Sequence, residues 1–347
     1  MATAGFSKDY SNDQGKSECM GPTSLSYQLI DKESQIKPAI DDIGKGRETA
    51  GSLIAVDCEG QYLSRKGKLS VVSIATENQI YIFDIQALGE SVFDKGLRDI
   101  LDDYSRNKLM FDCREDSDCL MHQYNVKLVK VLDLQLLQIM EREATEDAGI
   151  LEKQPLLESF LFCLVKYVKN EDLIKAKEEG DKKLPGTDAW LERPLSDVML
   201  KYAACDVMGI FKLYSKLKHV CKGQALDRLR VASDSYLDIF RSLPSRSCDS
   251  RETSSHLPKN VIPSEFQLLF LPQSETECIT CHKQFPYFDR NEQRGIPQLC
   301  QLCKLKINFG NLAHKALAME NDPYDSDDDD RPAWMKVGLG PNYKVFL

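Results

Sequence analysis

The run Leu53-Ile54-Ala55-Val56-Asp57-Cys58-Glu59 decides the fold. Its first four residues are apolar without interruption, the pattern of a short central strand buried on both faces. Side chains two positions apart on a strand point to the same side, so Asp57 and Glu59 face one point while Cys58 faces the other way. Two like charges placed so close repel each other and are costly beside an apolar strand. A divalent cation between them removes that cost; a pair of solvated acids at a strand end is the alternative reading.

Outward from this run the pattern alternates between strand and helix. Upstream, Ser34 to Ile43 sets Ile36, Ile40 and Ile43 at helical spacing, and Gly44 and Gly46 end it. Downstream, Leu69 to Thr76 and Gln79 to Ile85 read as a hairpin across Glu77-Asn78. Lys108 to Phe111 and Val129 to Leu132 supply a fourth and a fifth strand. Ser117 to Tyr124, Leu134 to Glu141, Leu156 to Val168 and Ser196 to Val220 supply helices. The chain therefore reads as an α/β domain with five strands. Asn170 to Gly186, dense in Lys and Glu, reads as a solvated insertion or lid, with a plain charged loop as the alternative.

The organisation that follows is a disordered arm over residues 1–25, the α/β domain over 26–222, a helix and linker over 223–272, a Cys-rich module over 273–320 and an acidic tail over 321–347. With 45 basic and 54 acidic residues the net charge is −9, which excludes a globally basic nucleic-acid coat protein and leaves a local patch as the only route to nucleic acid. The sequence contains neither an apolar stretch of the length a membrane span requires nor a phosphate-cradling Gly loop. Met1 to Met20 is polar and lacks the apolar core of a secretory signal, so the expected compartment is reducing, cytoplasmic or nuclear.

Two further groups of acids stand near the first in kind. Met199, Tyr202, Ala203, Asp206, Ile210, Leu213 and Leu217 recur at steps of three and four and form one apolar helix face, interrupted by Asp206. A carboxylate aimed at a core needs a partner or a metal, and Tyr202 lies one turn away on the same side, placed to orient an attacking water. The stretch Phe111-Asp112-Cys113-Arg114-Glu115-Asp116-Ser117-Asp118 offers three more candidates, Asp112, Asp116 and Asp118. Helix N-termini favour acids anyway, so helix capping is the alternative for each.

Asp57-Cys58-Glu59, Asp116 with Leu120 and Tyr124 behind it, and Tyr202-Ala203-Ala204-Cys205-Asp206 together resemble the three motifs of the DEDDy 3′–5′ exonucleases. Trp190-Leu191-Glu192-Arg193-Pro194-Leu195 resembles the RNase D branch. Asp112-Cys113-Arg114 and His122-Gln123-Tyr124 are similar to the Egalitarian and 3′–5′ exonuclease domain-containing group. The resemblance implies a ribonuclease H-like mixed sheet flanked by helices. It also implies selection of Asp116 over Asp112 and Asp118, and 3′–5′ exonuclease activity on RNA or single-stranded DNA with release of nucleoside 5′-monophosphates. Two Mg²⁺ or Mn²⁺ ions about 4 Å apart would be held by Asp57, Glu59, Asp116 and Asp206, with Tyr202 positioning the nucleophile. Some family members survive as catalytically inactive RNA-binding adaptors, which is the rival reading; all four acids and the Tyr are present here. Arg65, Lys66 and Lys68 are candidate phosphate contacts.

Of the 12 cysteines, Cys278, Cys281, Cys300 and Cys303 form two close pairs separated by 18 residues, the spacing of one tetrahedral structural Zn²⁺ bound by four thiolates. Arg290, Arg294, Lys304 and Lys306 make this module locally basic, fit for nucleic acid or for a protein partner.

Overall fold

The computed structural model describes residues 21–22, 24–45, 52–183, 187–243, 255–258 and 261–265, and the backbone pairing of 276–277 with 284–285. The strands of the main sheet are β1 (Tyr27–Ile30), β2 (Leu53–Gln61), β3 (Lys68–Ala75), β4 (Ile80–Asp84), β5 (Asn107–Met110) and β6 (Val131–Asp133). The helices are α1 (Glu33–Gly44), α2 (Ile85–Leu88), α3 (Arg98–Leu101), α4 (Arg114–Tyr124), α5 (Leu134–Thr145), α6 (Phe160–Cys163), α7 (Glu171–Lys183), α8 (Asp197–Leu217) and α9 (Gln224–Arg241).

The sheet runs in the order β1-β4-β3-β2-β5-β6. β2, β3 and β4 form an antiparallel meander, and β5 and β6 add in parallel beyond β2. The sheet is mixed and flanked by helices, as expected, but it has six strands where five were expected. The extra strand is β1, which pairs in parallel with β4. Four residues are too few to display a period of two, and an edge strand is held by its backbone ladder more than by its side chains.

Leu53, Ile54, Ala55 and Val56 are all buried at the centre of the sheet. β2 continues past them to Gln61, so Asp57 and Glu59 lie within the strand and not at its end. α8 crosses the sheet against β2, β3, β4 and β5, starting at Ser196, whose hydroxyl accepts from the backbone N–H of Met199. Its inward stripe of Met199, Ala203, Asp206, Ile210, Leu213 and Leu217 is buried. α9 packs against α4 and β6, and Leu257, Val261 and Ile262 are buried beyond it. Arg228 Nε donates to the Pro263 carbonyl at 2.6 Å, so part of the expected linker lies on the domain.

The charged stretch after Asn170 is not a loop over its described residues. It forms helix α7, which packs against α8. Leu173, Lys177 and Gly180 make its buried stripe, at steps of four and three, while most of its other residues are exposed. None of the described helices is long and apolar enough to cross a membrane. Cys278, Cys281, Cys300 and Cys303, with the basic residues around them, lie outside the described residues, as do the N-terminal arm and the acidic tail.

Candidate active site

Register and a bulge set the first two acids. Asp57 pairs with Ser73 and Glu59 with Val71, so both lie on one face of β2, and the register shifts between Glu59 and Gly60. A bulge of this kind bends the strand and re-aims the side chain beside it. Gly60 is required there, because a Cβ would sit 2.1 Å from the Lys68 carbonyl oxygen. Asp206 comes down from α8 onto the same face. Asp57, Glu59 and Asp206 each bring one carboxylate oxygen to within 4.8 Å of the others, the only such group of metal-ligating side chains among the described residues.

The three candidates after β5 have three different fates. Asp116, in the first turn of α4, is buried, and its Oδ1 accepts from the Cys58 backbone N–H at 3.0 Å. The β2–β5 ladder ends at Ala55, and Asp116 takes up β2 beyond that point. Asp116 therefore sits against the strand residue between Asp57 and Glu59. Asp112 instead pairs with Arg114, with Oδ2 2.7 Å from Nη2. Asp118 is fully buried and pairs with Arg65, with Oδ1 2.8 Å from Nη2 and Oδ2 2.9 Å from the Arg65 backbone nitrogen. Arg65 also donates to the carbonyls of Phe240 and Leu243, closing the C-terminal end of α9. It is a structural residue and not a phosphate contact. Lys66 and Lys68 remain exposed at the surface.

The electrostatics of the cluster are unbalanced. Asp57 and Glu59 keep part of their surface open, yet Asp57 Oδ2 and Asp206 Oδ1 are both sealed and without a hydrogen-bond partner. Burial, then repulsion from Glu59, Asp206 and Asp116, pushes the Asp57 carboxyl well above the usual carboxylate range. Burial and the neighbouring Asp206 raise Glu59 to about 8. Asp116 is raised to about 7, again chiefly by burial. Asp206 is raised by burial and partly relieved by Lys177.

Lys177 was not among the residues expected at the site. Its Nζ lies 2.8 Å from Asp206 Oδ2 and 3.8 Å from the centre of the Tyr202 ring. The signal for it was present in sequence, since Leu173, Lys177 and Gly180 hold helical spacing, but the surrounding Lys and Glu obscured it. Tyr202, on α8, donates its hydroxyl to Asp181 Oδ1 on α7, 3.1 Å away. Trp190 packs against the Tyr202 ring at 6.2 Å, and Arg193 fixes that stretch by pairing with Asp84 at 2.7 Å.

The sheet thus carries converging acids on its central strand and on a crossing helix. Residues 27–222, more than half of the chain, match the 3′-5′ exonuclease family, and the chain belongs to that family. It is similar to the piRNA biogenesis protein EXD1 of Mus musculus, 31% identical over 192 residues, or 55% of this chain and 32% of that protein. The EXD1 of Bombyx mori is 39% identical over 114 residues, 33% of this chain and 35% of that protein. The matched stretch thus spans about a third of the length of these curated relatives. Among solved structures, Trypanosoma brucei RNase D in complex with RNA U12 shares the fold, with a TM-score of 0.53 and 22% identity over 68% of this chain and 77% of that one.

Proposed function

We propose that this chain is a divalent-metal-dependent 3′-5′ exonuclease that hydrolyses RNA or single-stranded DNA, RNA foremost, and releases nucleoside 5′-monophosphates. The observation that carries this reading is the pair Asp57 Oδ2 and Asp206 Oδ1, both sealed from solvent and both without a donor. Buried carboxylate oxygens with no donor are costly, and a set made only of hard oxygens fits Mg²⁺ or Mn²⁺ rather than a thiolate metal. In this reading Asp57, Glu59 and Asp206 hold the metal. Asp116 adds its charge from its seat on the Cys58 amide. A divalent ion held there would supply Lewis-acid polarisation of the phosphodiester and acidify a water.

The chain's own residues do the rest. Tyr202, one turn from Asp206 and backed by Trp190, orients the attacking water through its hydroxyl. That hydroxyl stays protonated, since burial and Asp206 push it above the usual phenol range, so it directs the nucleophile without acting as its base. Lys66 and Lys68, exposed beside the site-bearing hairpin, serve as candidate phosphate contacts for a single strand. The preference for RNA is supported by relatives named for piRNA biogenesis. Cys278, Cys281, Cys300 and Cys303 would hold a structural Zn²⁺, giving a module for nucleic acid or a protein partner. The working compartment would be the cytoplasm or the nucleus.

The test is digestion of matched 5′-labelled RNA and DNA strands in Mn²⁺, comparing wild type with the Asp57→Ala, Glu59→Ala double variant. The expected result is a ladder shortening from the 3′ end in the wild type alone, faster on RNA. Equal digestion by both proteins overturns the reading. A second reading, a non-catalytic RNA-binding adaptor, is favoured by the similarity to an Egalitarian protein homolog of Caenorhabditis elegans, 24% identical over 153 residues, 43% of this chain and 26% of that protein. It requires RNA retention without digestion, equal in the two proteins.

A further inference from the structure

Lys177 faces the same carboxylates that the proposed metal would use. Its Nζ is 2.8 Å from Asp206 Oδ2, and the side chain is 11% exposed against 5% for Asp206, so the pair is screened little by water. The opposite oxygen of the same carboxylate, Asp206 Oδ1, is one of the two sealed and unpartnered atoms. An ion seated on Asp57, Glu59 and Asp206 would therefore share one carboxylate with an ammonium group. Two cations on one buried carboxylate repel each other strongly in a poorly screened site.

Lys177 is also part of a larger clamp. Gly180 lies flush on Tyr202, since a Cβ there would sit 2.0 Å from Tyr202 Cδ2. Asp181 accepts the Tyr202 hydroxyl at 3.1 Å. Lys177, Gly180 and Asp181 stand at i, i+3 and i+4, so one face of α7 covers both Asp206 and Tyr202. The buried Lys177–Asp206 pair is the main polar tie of α7 to the domain. Leu173 is its only fully buried large apolar side chain, with Ile174 and Ala176 partly buried beside it. Once an ion takes over Asp206, little apolar area is left to hold the helix in place.

We propose that Lys177 is a built-in competitor of the divalent ion: it occupies Asp206, and metal loading displaces it and lifts α7 from Tyr202. This deepens the reading of the acids as a metal site and rests on it. In the closed arrangement the Tyr202 hydroxyl is committed to Asp181; in the loaded one it is free to meet a water. The competition sets a threshold for metal and ties it to exposure of the Tyr.

The test uses the full chain and two readouts other than activity. Mn²⁺ binding is followed by electron paramagnetic resonance in wild type, Lys177→Met and the Asp57→Asn, Glu59→Gln double variant, which supplies the background from the Asp-rich tail. Lysine acylation of the wild type, read by mass spectrometry, is run with and without saturating Mn²⁺. The expected results are Mn²⁺ binding about tenfold tighter in Lys177→Met than in wild type, and a rise of about tenfold in Lys177 labelling on Mn²⁺ addition with other lysines unchanged. The labelling readout uses unmutated protein, so it stands even where Lys177→Met folds poorly. Mn²⁺ binding by the wild type above the double-variant background with Lys177 still unlabelled overturns the competition and leaves the metal site standing. So does weaker or equal binding by a folded Lys177→Met. Wild-type binding no greater than the double-variant background overturns both the competition and the metal site.

Discussion

Asp118 and Asp206 are both buried aspartates on helices, yet they are opposites. Asp118 has its own guanidinium, which donates Nε and Nη2 to its Oδ1 and is itself anchored to the end of α9, so its charge is answered locally. Asp206 shares its neighbourhood with Asp57 and Glu59, and Lys177 is the cation held against it. The contrast teaches how to tell scaffold from site. A buried acid with a dedicated partner of opposite sign stabilises the fold when the pair is kept whole. Buried acids gathered on one another, with sealed and unpartnered oxygens, spend stability to keep a place for a cation from outside.

The sharpest way to break this contrast is to neutralise the cluster. Asp57→Asn with Glu59→Gln should lower 3′-end turnover about 10³-fold or more, while the metal-free protein melts no lower than wild type because repulsion has been removed. A melting temperature well below wild type would place these acids with the scaffold. Asp118→Ala should do the reverse. It strands Arg65 and costs about 3–5 kcal/mol in urea denaturation, with turnover per folded molecule close to wild type. A drop in turnover without loss of stability would move Asp118 into the site.

Tyr202→Phe keeps the ring under Lys177 and removes the hydroxyl. Turnover should fall about 10–10²-fold, with the denaturation midpoint unchanged; single-turnover kinetics measure this directly. The smallest effect is on pH dependence. Glu59 and Asp116 titrate near 8 and 7 in the folded metal-free chain, well above the values of the same groups unfolded. Between about pH 4 and 8 the folded state therefore binds more protons than the unfolded one, and stability from these groups is lost as pH rises. The metal-free melting temperature should fall by a few degrees across that window, less so in the double variant and less so with Mn²⁺ present. A slope that neither change alters would show that other groups set it.

Legibility in the sequence followed how local each signal was. Asp57 and Glu59 stand two apart on a recognisable strand, and Asp206 breaks a long apolar stripe, so each announced itself within a short window. The choice among Asp112, Asp116 and Asp118 was not local. Capping allows all three, and what separates them is that Arg114 and Arg65 claim two while the third reaches a backbone amide of β2. Lys177 and Asp181 were hidden in a run whose charge density reads as loop, and Arg65 was mistaken for a ligand contact because its partners lie 53 and more residues away. β1 was missed because four residues at an edge carry no period.

By itself the amino-acid sequence determined the α/β class, the central strand and the acids available for chemistry, while the family rested on the resemblance of three motifs taken together. The first three depend on periodicity and residue type within a turn or a strand, where geometry follows directly from the covalent chain. The tertiary structure decided which acids are neutralised by arginines, which are left against one another, and that a lysine from α7 faces Asp206. Those outcomes depend on long-range pairing of charges in a poorly screened interior, where a few ångströms separate a structural ion pair from a binding site.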